Sequence, residues 1–269
     1  RKVISLWVEV FEYSVLVFLI LVLTNNINFS FPNLIKVLLP ISFNQYWFIT
    51  SYFIIYIFSY YINKLLHNIS KKNFKYFLFM LCVIEIFIRT FTGSILDANK
   101  LGLFLLFYCL GAFIIMYGED YNLRKIGSWL VPTSFFLMIL SVFSLNMLSS
   151  ITKIDEFQMH ATHFLSERSL LSLMLAVGVF LIFLTNDYWN NKTINYFARS
   201  SIAIYLIHDN NFFRPILWRN IFKVQSFKNS PWLALYGIST SLIIFVLCIA
   251  IDILRRELIR LIKNNKFLD

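Results

Sequence analysis

The amino-acid sequence predicts an all-α fold, a polytopic membrane helix bundle with about eight transmembrane helices. Three observations predict it. Of the 269 residues, 59% are hydrophobic and only 14% are charged, whereas a soluble domain carries roughly 25% charged residues. Apolar runs of membrane-crossing length recur at approximately 5–24, 43–62, 74–91, 100–118, 128–149, 168–186, 198–214 and 232–254. A helix needs about 20 such residues, because lipid offers its backbone no hydrogen-bond partners. With the N-terminus in the cytoplasm, fifteen of the 24 Lys and Arg residues fall on inner segments, as the positive-inside rule requires.

The elements follow in order. Glu9 and Glu12 lie three apart on one face of the first stretch. They either snorkel to the cytoplasmic interface or face the bundle and partner a cation there. The second stretch opens at Tyr46 and Trp47 and closes at Tyr60 and Tyr61, an aromatic belt at each headgroup level. The third carries Glu85 and Arg89. The fourth and fifth are nearly uncharged, with Tyr117 and Tyr121 at the interface between them. An outer loop, 150–167, holds His160 and His163 between Glu156 and Glu167. Tyr188 and Trp189 mark the next interface. The seventh stretch is the weakest, because Arg199, His208, Asp209 and Arg214 bracket or interrupt it. Arg214, Arg219, Lys223 and Lys228 then cluster in an outer loop, a local breach of the positive-inside rule that needs another cause. After the eighth stretch, 255–266 reads as a short basic helix at the cytoplasmic face. No repeat, linker or second soluble domain is visible, so residues 1–269 read as one membrane domain.

Composition also excludes. The net charge of +10 would suggest nucleic acid in a soluble protein, but here membrane topology accounts for the basic residues, and no nucleic-acid motif occurs. Cys82, Cys109 and Cys248 sit singly in apolar runs, without metal or disulfide spacing. No metal site is expected.

A charge at the bilayer centre costs at least ~2.5–3.5 kcal/mol, so each one there needs a reason. Glu85 and Arg89 are four apart, which stacks them on one helical face. They read either as a self-neutralising bridge or as a polar site in which Arg89 grips phosphate or carboxylate. His160 and His163 read as solvated loop residues or as contacts to a sugar. His208, beside Asp209, reads as a general base or relay, or as a hydrogen-bonded structural histidine.

The run from Ser200 to His208, Ser-Ser-Ile-Ala-Ile-Tyr-Leu-Ile-His, resembles the S-x-x-I-Y-L-x-H signature of the acyltransferase 3 family. The segment from Gln45 through Trp47, Phe48 and Tyr52 to Asn63 is similar to that family's W-F-x-x-x-Y helix entry and L-N exit. The ending from Ile251 through Asp252 to Arg256 is similar to its last helix and basic tail. The three lie in the family's order and cover essentially the whole chain. These are bacterial membrane enzymes that acylate sugars of surface polysaccharides.

The resemblance implies a multi-pass protein of the bacterial cytoplasmic membrane that moves an acyl group, foremost acetyl, from acyl-CoA to a hydroxyl of an envelope polysaccharide or its lipid-linked precursor. Acetyl-CoA is then a donor substrate, and no cofactor is held. Family members have about ten helices, so the eight here correspond to the third through the tenth. Their catalytic Arg and His, eleven residues apart on the first helix, have no counterpart near the start of this chain. The first helices are therefore expected to be missing, this stretch alone to be inactive, and His208 to be a supporting catalytic residue. Glu85, Arg89, Trp47, Tyr205, His160 and His163 are the expected substrate-binding residues. A polysaccharide transporter or flippase without covalent chemistry is the alternative, and a structural, partner-binding subunit is a third.

Overall fold

The computed structural model describes residues 2–92, 100–186, 191–227 and 230–265. Expectations attached to Arg1, Tyr188, Trp189, Lys228 and Lys266 lie outside them. Every regular element among the described residues is helical. In chain order these are α1 (Lys2–Leu23), α2 (Phe31–Leu38), α3 (Trp47–Asn68), α4 (Lys71–Cys82), a π-turn (Val83–Phe87), α5 (Ile88–Thr92), α6 (Leu101–Tyr117), α7 (Leu123–Thr152) and α8 (Asp155–Met159). They continue with α9 (Leu170–Leu184), α10 (Lys192–Ala198), α11 (Ser201–His208), α12 (Phe213–Pro215), a second π-turn (Ile216–Ile221) and α13 (Leu233–Asn265).

Five helical spans are long and apolar enough to cross a membrane: Val3–Leu23, Leu101–Asp120, Leu123–Thr152, Asp155–Leu184 and Leu233–Leu261. Three of the eight expected crossings differ from these. The second, α3, is 22 residues long but rich in Tyr and Ser. The third is interrupted by the first π-turn. The seventh is no single helix: α11 has only 8 residues, about 12 Å at 1.5 Å per residue. The expected separate tail helix also differs. Nothing in Leu254–Leu261 breaks a helix, and α13 runs on to Asn265.

Helix starts follow local chemistry. Ser30, Ser70, Asn122, Ser169 and Asn191 each accept a backbone N–H of the first turn, satisfying donors that the helix itself leaves orphaned. Large aliphatic and aromatic side chains cover the outside, with Leu23 at 81% and Ile115 at 85% exposed, the surface that a bilayer solvates and water does not.

The chain forms two compact units, 1–50 with 190–269, and 51–189. In the first, α11 packs against α1 and α13. Val10, Tyr13, Phe18, Leu206, Ala203 and Cys248 are buried there. In the second, α7 and α9 lie in close contact. A Cβ on Gly127 would stand 2.9 Å from the Gly178 carbonyl oxygen, and one on Gly178 would stand 2.8 Å from Leu130 Cβ. Only glycine permits that approach, the usual device where lipid supplies no hydrophobic drive between helices. Leu66, Phe74, Ile86, Leu106 and Cys109 centre the other core of this unit. At one end of it Lys71 bonds Asp120, which places the turn before α4 and the turn before α7 on a shared face, as the charge pattern requires.

Candidate active site

In the first unit, α11 carries the most distinctive polar cluster. The helix stops at His208 because Asn210 captures the next turn: its side-chain oxygen accepts the backbone N–H of Phe212 (3.0 Å) and Phe213 (3.2 Å). Asn210 is 1% exposed, and its amide nitrogen donates to Tyr46 Oη at 2.7 Å. Tyr205 Oη accepts the Phe48 backbone N–H at 3.2 Å. The Tyr205 ring has Tyr46, Phe48 and His208 around it at 6.1, 5.6 and 6.3 Å, and Trp47 meets Phe48 edge-on at 6.0 Å. The structure thus brings Tyr46 and Phe48 to Tyr205, some 160 positions on in sequence, with His208 beside it.

The state of His208 follows from its partner. Nδ1 lies 2.6 Å from the Ile204 carbonyl oxygen. A carbonyl only accepts, so Nδ1 carries the proton, and in the neutral ring Nε2 keeps a lone pair. Among the described residues Nε2 has no hydrogen-bond partner. Asp209, the adjacent acid, does not orient the imidazole. Its carboxylate pairs instead with Arg214 at 3.0 Å.

A second constellation lies nearer the other end of α1, α11 and α13. Asp252, 1% exposed, accepts from Tyr13 Oη at 2.8 Å. It is joined by Arg255 and Arg256, each at 3.0 Å. Arg255 also reaches Glu12 at 2.6 Å and Glu9 at 3.3 Å and lies over the Tyr13 ring. Arg256 donates to the buried Ser200 hydroxyl at 3.0 Å and stacks on Tyr196. Glu9 and Glu12 therefore do not simply snorkel. They complete an interhelical network in which every charge has a counter-charge.

In the second unit, Glu85 and Arg89 are not an i, i+4 pair. Among the described residues no ion pair joins them. Across this stretch the helix is a π-turn: Ile88 N–H bonds the Val83 carbonyl, five residues back. The Glu85 carboxylate rests against Gly102, where a Cβ would stand 1.9 Å from its Oε1.

Beside Arg89, Thr90 is 5% exposed. Its carbonyl meets His163 Nε2 at 2.7 Å, and its hydroxyl accepts the Leu170 backbone N–H at 3.2 Å. His163 is thus no freely solvated loop residue. Its ring stands nearly perpendicular to that of His160, with centroids 6.3 Å apart. No three His, Cys, Asp or Glu side chains gather as a metal cage among the described residues. At the opposite end of this unit, the Asp120 carboxylate, by its hydrogen bond, raises the Lys71 pKa above the ordinary lysine value.

Sequence reasoning missed Asn210, and it missed the Asp252 network. Asp252 carried a signal, an acid inside an apolar stretch beside two arginines, whereas Asn210 carried only its place just after a helix.

The model of a family described as an acyltransferase domain, acyltransferase 3, matches residues 1–251. No curated protein matches this chain, and no solved structure does.

Proposed function

We propose a particular form of acyl transfer for this chain, which belongs to the acyltransferase 3 family and is a multi-pass membrane protein. An acetyl group passes from acetyl-CoA to a sugar hydroxyl of an envelope polysaccharide or its lipid-linked precursor, at the bacterial cytoplasmic membrane. The observation that carries this reading is the fixed tautomer of His208. An imidazole whose Nδ1–H is tied to a backbone carbonyl presents Nε2 as a base. In the transfer, the acyl–sulfur bond of the thioester gives way to an acyl–oxygen bond on the sugar. His208 Nε2 takes the hydroxyl proton on the acceptor side and releases it as the thiol of CoA departs. Tyr205 offers an aromatic face for a sugar ring beside that imidazole; Trp47, Glu85, Arg89, His160 and His163 are further candidate contacts to substrate. Basic residues of the inner face, Lys71 and Lys75 among them, draw the CoA phosphates.

The test is His208→Ala in membranes, with glycan acetyl content and protein level measured together. A fall in transfer on the order of 10²-fold at unchanged protein level is expected for lost proton transfer. Transfer that persists undiminished would remove His208 from the chemistry. An unchanged acetyl content coupled to lost glycan export would favour carriage without covalent chemistry.

A further inference from the structure

The outer loop that breaks the positive-inside rule forms a cleft. Arg219, Asn220, Lys223, Gln225 and Ser226 line a space of about 630 Å³ in the first unit. All five side chains are polar and all five residues are exposed. Among the described residues no acid pairs with Arg219 or Lys223; the nearby Asp209 is taken by Arg214.

The cleft is held from behind. The second π-turn closes with Phe222 N–H on the Leu217 carbonyl at 2.9 Å, and Leu217 is buried. Tyr236 of α13 donates its hydroxyl to the Phe222 carbonyl, and its ring stacks on Phe227 at 3.8 Å and 8°. Between these anchors Lys223 adopts φ 45°, the left-handed region that a lysine occupies only when its surroundings impose it. Tyr236 and Arg255 lie nineteen residues apart on one helix, roughly 28 Å at 1.5 Å per residue. That is close to a hydrocarbon thickness. On the orientation that the charge pattern gives, the cleft lies across the membrane from the Arg255 network.

We infer that this cleft seats an acidic sugar unit of the acceptor glycan. Arg219 and Lys223 take its carboxylate or phosphate, and Asn220, Gln225 and Ser226 take its hydroxyls. The inference rests on the acyl-transfer reading for the word acceptor. It explains why Arg219 and Lys223 stand on the side that topology disfavours. A guanidinium fork fits a planar acid group, and short amide and hydroxyl side chains match sugar hydroxyls. A phospholipid seat would need apolar side chains around its acyl chains, and the side chains that line this cleft are polar.

Binding tests it without relying on catalysis. The protein in phosphatidylcholine nanodiscs is titrated with a tetragalacturonate and with a phosphorylated mannose oligosaccharide, each beside its uncharged counterpart. At least one acidic probe should bind, weaken with rising salt and lose about tenfold affinity in Arg219→Gln. Lys223→Gly should lose affinity similarly while unfolding at higher temperature, since glycine accepts the left-handed backbone without cost. That combination separates lost charge from lost fold. Equal binding of neutral and acidic probes, no binding of either acidic probe, or unchanged affinity in both variants would overturn the inference. Displacement of the oligosaccharide by added phosphatidylglycerol would overturn it in favour of a lipid headgroup seat. Retained binding, together with no acetyl transfer by membranes that carry the complete gene product, would sink the acyl-transfer reading and leave the acidic-glycan cleft standing.

Discussion

Asp252 and Glu85 are both acids within apolar helices, and the chain treats them differently. Asp252 meets cations of its own helix, and through Arg255 it is bound to Glu9 and Glu12 of α1. Glu85 has a cation four residues on and is not paired with it. A glycine of the next long helix makes room for its carboxylate instead. Spacing along a helix is therefore a poor guide to pairing in this bundle. Shared charge between helices decides one site, and the space beside a glycine decides the other.

The largest effect should come from Asp252→Ala. It leaves two guanidiniums short of their buried partner, and the loss of stability should reach about 3–5 kcal/mol. Unfolding of the purified protein in detergent measures it, and an unchanged midpoint would mean that Glu9 and Glu12 neutralise the arginines alone. Next is Gly102→Ala. The new methyl would displace the Glu85 carboxylate, the free end of a flexible side chain that can swing aside, so the cost should stay at about 1 kcal/mol. Glu85→Ala added to it should restore most of the loss, and a double variant no more stable than Gly102→Ala would break the seat argument. Tyr13→Phe removes one hydrogen bond from Asp252 and should cost about 1 kcal/mol, because the ring still packs under Arg255. Smallest is Glu85→Ala alone, at roughly 0.5 kcal/mol or less. A large loss there would show that Glu85 is paired after all.

Much of the helical content was legible, because apolar runs of twenty residues have few other fates. The cluster around His208 was legible in part. Trp47, Tyr205 and His208 were named from the family signatures, and the structure sets Tyr205 beside His208 and packs Phe48, next to Trp47, on the Tyr205 ring. Its buried anchor, Asn210, was not, since nothing local separates an asparagine that will be sealed against Tyr46 from one that stays wet. The seventh stretch was misjudged as a crossing because hydropathy averages over Asp209, Asn210 and Asn211, the residues that end the helix. Of the two readings of Glu85 and Arg89, the bridge does not form, because the Glu85 carboxylate rests against Gly102, and the π-turn at Val83–Phe87 was not legible in the apolar run.

That turn has a consequence for how such a chain can change. The π-turn is a single residue accommodated inside a helix, an insertion that no loop absorbs. Deleting one position between Val83 and Phe87 would remove the wide turn and leave the flanking turns in place, whereas a deletion in the regular turns of α4 would swing everything beyond it by roughly 100°. Thr90 would then leave both His163 and the start of α9, so the outer end of this unit would lose its stitching although every side chain that makes it is still encoded. A gene comparison scored by substitutions alone would miss that loss; the length of this one helix is as much a heritable trait as the identity of any residue on it.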